Sequence, residues 1–303
     1  MFLIKVNNSS FFSHASSPLL GNLFKGFSAK GCLLVFSKFH IGKVEVEVFN
    51  SDKTIIHYMD RGGKNGNVII FANSLGTDCR LWDKIIHKLP ASARIITYDK
   101  RGHGLSQEPE TDISLEDLAT DISNLADYLS LRNVTFVGIS IGGMIGQVLA
   151  SIRPDIVSKL VLCDTAVKIG TKEIWDQRID LVNEVGLAGI SMSILERWFS
   201  KQYMAQNFNE MELFRRMLQN TSTSGYIKCC KAISETNLTS FTSNLRQPTL
   251  VIGGSDDIST PPKLVEETAR MINFSEFRII KNSGHLPCVD NPEVFVSLLN
   301  NFL

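Results

Sequence analysis

Cysteine is scarce in this 303-residue chain, with six scattered residues and no C-x-x-C spacing. That excludes a disulfide-stapled scaffold. The adjacent Cys229-Cys230 pair reads as two ordinary thiols on a helix, with a vicinal redox pair as the alternative, and a reducing, cytoplasmic location is expected. No stretch reaches the roughly 18 apolar residues of a spanning helix, so no membrane association is expected; the densest early patch is Cys32-Leu-Leu-Val-Phe36. Net charge is lacking too, because 31 basic residues cancel 31 acidic ones, and a nucleic-acid partner is therefore not expected. What is present is a globular composition, 44% hydrophobic and 20% charged, able to bury a core without a cofactor or staples.

Residues 1–43 have no acidic residue and no arginine, but hold five lysines, seven serines and seven of the eighteen phenylalanines. They read as a poorly structured extension, with an organelle-targeting leader as the alternative; the missing arginine counts against the latter. Regular punctuation begins at Val44. Val44-Glu-Val-Glu-Val-Phe49 alternates at period 2 and, after a turn, Thr54-Ile-Ile-His-Tyr58 completes an expected β-hairpin. Short apolar runs at 68–71, 95–98, 134–137 and 160–162 predict buried parallel strands. Ser114 with Asp117 predicts a capped helix whose apolar face is Leu115, Leu118, Ile122, Leu125 and Leu129. Strands at 249–252 and 277–280 alternate with helices at about 262–273 and 292–302, which makes the core an α/β sheet. No proline occurs between Pro154 and Pro248. Residues 167–245 inside that gap are helical in pattern and hold four of the eight methionines and two of the three tryptophans, so they are expected to be a helical lid, a reading compatible with a subdomain that has its own core.

Gly138-Ile-Ser140-Ile-Gly142 follows an apolar strand and precedes the helical run Met144 to Ala150. A G-x-S-x-G between strand and helix is a nucleophile elbow: the turn strains the serine, and its neighbours two before and two after must lack side chains. A phosphate-binding glycine loop would need a lysine or a G-x-G-x-x-G spacing, and has neither. Ser140 needs a base. Of six histidines only His285 comes after it, in Asn282-Ser-Gly-His285 beyond the last strand, at the carboxyl edge of the sheet. The acid should follow the strand at 249–252, where Asp256 and Asp257 compete; Asp257 is preferred because it sits just before the turn opening the next helix, which leaves Asp256 as a turn residue.

A tetrahedral intermediate also needs two N–H donors. Ile141, just after the nucleophile, supplies one, and the loop Asn73-Ser-Leu75-Gly76 should supply the other through the Leu75 backbone. Asn73 and Ser74 orient this loop, touch substrate or are simply turn residues. Tyr98-Asp-Lys-Arg-Gly-His-Gly-Leu-Ser106 concentrates reactive side chain types, yet reads best as a tight loop whose polar groups satisfy buried backbone.

Together these residues resemble the α/β-hydrolase superfamily over 44–303, with the core at 44–166 and 246–303 and the lid at 167–245. More narrowly the chain is similar to 3-oxoadipate enol-lactonases in Asn73-Ser-Leu-Gly-Thr77 with Trp82 and Asp83, in Asp99-Lys-Arg-Gly-His-Gly104, and in Gly138-Ile-Ser-Ile-Gly-Gly-Met144. Thr165 to Gly170 with Trp175 and Arg178, Glu196-Arg-Trp-Phe199 and Gly225-Tyr226 extend the likeness. The chain departs from that family in residues 1–43 and in Gly284 before His285 with Asp290 beyond.

The resemblance implies hydrolysis of a small anionic enol-lactone in aromatic catabolism, the β-ketoadipate pathway, with no cofactor and no metal. Ser140 would attack the carbonyl, His285 move the proton and Asp257 hold the imidazole. The substrate carboxylate calls for a cation or N–H donors, for which Trp175, Arg178, Arg197 and Trp198 are the candidates. A general carboxylesterase and a carbon–carbon bond hydrolase share the same triad, and a non-catalytic receptor would keep only the pocket. A dehalogenase would need aspartate in place of Ser140. Residues 1–43 carry the excess of five lysines, so the remainder holds 26 basic and 31 acidic groups, and an anionic substrate must be drawn by local charge.

Overall fold

The computed structural model describes residues 46–303 apart from 52–53 and 64–65. The expectations for residues 1–43, for Cys32 and for the first residues of the hairpin lie outside them. The hairpin is formed by β1 (Glu47–Ser51) and β2 (Thr54–Gly62), paired antiparallel with Phe49 opposite Ile56. It begins an eight-stranded sheet in the order β1-β2-β4-β3-β5-β6-β7-β8, completed by β3 (Val68–Ala72), β4 (Arg94–Tyr98), β5 (Val134–Ile139), β6 (Val157–Cys163), β7 (Thr249–Gly254) and β8 (Ser275–Ile280). From β4 onward every pairing is parallel. This is the α/β architecture expected from short apolar runs separated by helices.

After β3 the chain steps to one side to lay β4 and then to the other to lay β5, so the order reverses between these neighbours and a crevice opens at their carboxyl ends. Ala72 pairs with Gly138 there. The loop carrying Leu75 and the turn carrying Ser140 therefore leave the sheet side by side.

A short helix α1 (Asp83–Ile86) follows β3, and α2 (Leu115–Tyr128) opens with the expected capping box, Ser114 accepting from Asp117 N–H while the Asp117 side chain accepts from the Ser114 backbone. The central β5 and the first ten residues of α3 (Ile141–Ile152) are wholly buried, as apolar runs without a polar face must be. Trp82 packs on Phe71 and Phe295 at ring separations of 4.7 and 6.3 Å, and its indole N–H is satisfied by Asn73 Oδ1.

Between β6 and β7 lie α4 (Lys172–Trp198), α5 (Lys201–Gln206), α6 (Phe208–Gln219), α7 (Thr223–Glu235) and α8 (Thr239–Ser243). The first of these is two helices joined at Gly186, whose φ of 67° and ψ of 175° no side-chain-bearing residue adopts cheaply. The insertion has its own aromatic core in Trp198, Phe199, Tyr203 and Phe214. It is seated on the loop that follows β4 at Gly102 and Gly225, where a Cβ on either glycine would fall within 2.5 Å of the other's Cα. Both Cys229 and Cys230 are buried on α7 as free thiols. The chain closes with α9 (Pro262–Arg270), three residues shorter than the apolar pattern predicts because Met271 caps it, then α10 (Pro287–Asp290) and α11 (Pro292–Phe302). No helix among the described residues is long and apolar enough to cross a membrane.

Candidate active site

Ser140 stands between β5 and α3 with φ of 58° and ψ of −123°, in the left-handed range a β-carbon resists. Such geometry costs on the order of 1–3 kcal/mol and persists only where the surroundings over-determine it. Here they do. A Cβ on Gly138 would come within 2.3 Å of the Gly142 carbonyl oxygen, and one on Gly142 within 2.1 Å of the Ala72 carbonyl oxygen, so the two glycines are required by close packing of the turn. The Ser140 N–H donates to Cys163 O at 3.0 Å, and its carbonyl accepts from the Thr165 hydroxyl at 2.7 Å.

His285 and Asp257, 28 residues apart in sequence, meet with Nδ1 and Oδ2 at 2.7 Å. Asp257 Oδ2 also accepts from the Thr260 hydroxyl at 2.6 Å, while Oδ1 accepts from the Ser259 and Thr260 N–H groups at 2.7 and 3.2 Å. Burial alone would raise this carboxyl, but the His285 ring beside it and these hydrogen bonds outweigh burial and hold it below the ordinary carboxylate range. Asp256 is exposed in the turn and touches Ser255, with its own N–H on Ser283 O at 2.8 Å. An ionised Asp257 fixes the Nδ1–H tautomer and leaves Nε2 of His285 free to act as a base.

Two further carboxyls have a place that the sequence did not assign. Asp290 accepts from Gly284 N–H at 2.7 Å and from the Ser283 hydroxyl, bracing the loop that carries His285; burial pushes it up to about 6. Asp164, at the end of β6, is fully buried, accepting from Gly254 N–H at 2.8 Å and from the Cys163 thiol at 3.2 Å. Burial first, and the Asp257 charge second, push it well above the carboxylate range. Their signal was weak: an acid five residues past the histidine, and an acid ending the strand beside the nucleophile's.

The loop after β3 turns over the same crevice. Ile141 is the first residue of α3, so its N–H has no partner within the helix; Leu75 and Ser74 line the cavity. Asn73 does not: its Nδ2 donates to Tyr98 O at 2.8 Å and its Oδ1 accepts from Trp82, so of the three readings expected for it the loop-orienting one matches the geometry and substrate contact does not. The polar loop at 99–106 satisfies buried backbone as expected, with Asp99 accepting from the N–H groups of Cys79 and Leu105 at 2.7 and 3.0 Å.

A cavity of about 160 Å³ collects these groups, of a size that holds a small ring. Ser140, His285, Ser74 and Leu75 form its floor; Trp175, Arg178, Arg197 and Trp198, all from α4, form its roof with Tyr226. Trp175 is oriented by a 2.6 Å hydrogen bond to Ile169 O, and Arg178 donates to the Tyr226 hydroxyl at 3.2 Å. Neither Arg178 nor Arg197 pairs with a carboxylate among the described residues. A second cavity, about 620 Å³, is lined in part by the buried His57, Cys79 and Asp99, whose donor atoms lie within 4.8 Å of one another. As a metal centre it fits poorly, since Asp99 is already taken by His57 Nδ1 at 2.7 Å and by two backbone donors, and burial followed by the Asp99 charge pushes the Cys79 thiol up.

Strand order, elbow and the residue after each strand define an α/β hydrolase, and residues 67–184 match the alpha/beta hydrolase fold model. The chain belongs to that family. Within it, the chain is similar to 3-oxoadipate enol-lactonase 2 of Acinetobacter baylyi, 31% identical over 249 residues that cover 82% of this chain and 93% of the relative. The solved enol-lactonase of Burkholderia xenovorans LB400 superposes with a TM-score of 0.82 at 29% identity, over 84% of this chain and 99% of that one. A thermophilic esterase of Thermogutta terrifontis, solved with malate bound, superposes with a TM-score of 0.78 at 25% identity, over 86% and 97%.

Proposed function

We propose that the protein is a serine hydrolase of a small anionic cyclic ester, with 3-oxoadipate enol-lactone as the substrate. The observation that carries this reading is a cavity floored by Ser140 and His285 and roofed by two arginines without carboxylate partners among the described residues. A guanidinium binds a carboxylate through charge-assisted, often forked hydrogen bonds. Likeness to the two enol-lactonases supports the choice of ring.

Ser140 Oγ attacks the lactone carbonyl as its proton passes to His285 Nε2, and Asp257 stabilises the imidazolium that forms. The oxyanion is held by the N–H groups of Leu75 and Ile141. Collapse breaks the ring C–O bond and the histidine returns its proton to the leaving enol, which stays tethered to the acyl chain and tautomerises to a ketone, making return difficult. Water, deprotonated by His285, attacks the acyl-enzyme and frees Ser140 and a dicarboxylate. The helical insertion acts as the lid that supplies the cations, and the free buried thiols suit a reducing compartment such as the cytoplasm.

The esterase likeness supports a second reading, an acyclic carboxylic ester as substrate. Progress curves with the enol-lactone beside p-nitrophenyl acetate separate the two, with Ser140→Ala as control. Faster turnover of the lactone, lowered by about 10⁴-fold or more in the variant, is expected. Preference for the neutral ester would favour the second reading, and turnover unaffected by the substitution would sink both.

A further inference from the structure

The oxyanion donors are backbone groups, and a trans peptide is a rigid plane whose C=O and N–H point in opposite directions. To aim an N–H at substrate, the protein has to hold the carbonyl of the same peptide from behind. The Leu75 N–H shares its peptide with the Ser74 carbonyl. That carbonyl accepts from the Lys100 ammonium at 2.6 Å and from the Thr77 hydroxyl at 2.9 Å, and Lys100 also reaches Thr77 O at 3.3 Å. On the other side of Leu75, Gly76 N–H donates to His103 Nε2 at 3.0 Å. His103 Nδ1 lies 3.1 Å from the Arg101 carbonyl, which can only accept, so the proton is on Nδ1 and Nε2 is the acceptor. The Ile141 N–H has the same arrangement in neutral form, its peptide carbonyl on Ser140 accepting from Thr165. Lys100 is 3% exposed and makes no salt bridge among the described residues.

We propose that Lys100 is the positioning residue of the oxyanion hole, an ammonium that clamps the Ser74–Leu75 peptide from behind, aims its N–H and polarises it. This rests on the serine-hydrolase reading of Ser140. A cation on the carbonyl makes the N–H across the same amide a stronger donor, since hydrogen bonds in series polarise one another. His103 keeps the next peptide in register. The charge is labile: burial pushes Lys100 down to about 8, against weaker upward pulls from Cys229 on α7, Asp99 beside it and Asp78 after the loop. His103, the other titratable group facing it, is held neutral by burial and by Lys100 itself. The hole should therefore be fully charged from behind below pH 8 and lose this support as pH rises past it.

The experiment measures kcat and KM for p-nitrophenyl acetate with wild type, Lys100→Met and Ser140→Ala. Methionine keeps the length of the side chain and removes charge and donor. At about pH 7, kcat of Lys100→Met should fall by about 10- to 100-fold, less than the loss of a whole oxyanion donor, with KM within about twofold. The wild-type kcat should decline through about pH 8, a limb absent from Lys100→Met. Unchanged kcat in Lys100→Met, or the same limb in both proteins, would overturn the proposal while Ser140→Ala still abolishes turnover. Turnover surviving in Ser140→Ala would instead overturn the hydrolase reading on which the clamp rests. Should Lys100→Met not fold, wild type alone decides, because a kcat flat from about pH 7 to 10 contradicts the clamp.

Discussion

The floor and the roof of the cavity are built on opposite principles. On the floor, every reactive group is tied from behind: Ser140 by its neighbours' backbones, His285 by Asp257, and Asp257 by four donors. On the roof, among the described residues, Arg178 has only the Tyr226 hydroxyl and Arg197 is exposed. On the proposed reading the floor is preorganised around one transition state. In the same proposal the roof keeps unspent charge for a ligand, and any selectivity for one ester over another has to come from it.

Substitutions at the two levels should separate accordingly. The largest effect is expected from Asp257→Asn, which leaves the histidine tautomer unfixed and should lower kcat by about 10³- to 10⁴-fold for any ester, neutral or charged; a comparable loss confined to the anionic substrate would erase the distinction between floor and roof. Next comes Asp290, under the floor. Burial raises its folded pKa to about 6, above the ordinary 3.8, so its contribution to stability is fully present below the lower value and is lost as pH rises through the higher. Denaturant unfolding of wild type and Asp290→Asn at pH 4 and pH 7 should show the wild type losing stability over that interval relative to the variant; parallel curves would mean that Asp290 titrates normally. The smallest effect belongs to the roof. Gly186→Ala at the break in α4 meets no neighbour, since nothing lies within 4 Å of its Cβ position, and acts only through a φ of 67°. It should cost about 1–3 kcal/mol by thermal or denaturant unfolding and raise KM more than it lowers kcat.

The same division explains what could be read from the residues alone. The elbow, the capped α2 and the alternating hairpin announce themselves locally, because strain needs glycine, a helix start needs a cap, and a half-buried strand needs period 2. His285 followed from chain order, and its contact with Asp257 from the strand each one follows. Asn73 was ambiguous because its partners, Tyr98 and Trp82, come from a different strand and a later turn. The roles of Asp164 and Asp290 stay illegible for a related reason, since a buried acid looks like any other acid until the strands beside it are placed. Within 167–245 the periodicity indicated helices but not their break at Gly186, for a single glycine is tolerated in helices as often as it ends them.

The most direct test of the account is the ratio of kcat/KM for the anionic enol-lactone to that for its neutral methyl ester, in wild type and in Arg178→Ala/Arg197→Ala. The double variant should lose about 10- to 100-fold on the anionic substrate, as removal of charge-assisted hydrogen bonds implies, while its rate on the neutral ester stays within a few-fold. An equal loss on both substrates, or none on either, would contradict a floor that performs the chemistry and a roof that selects the charge.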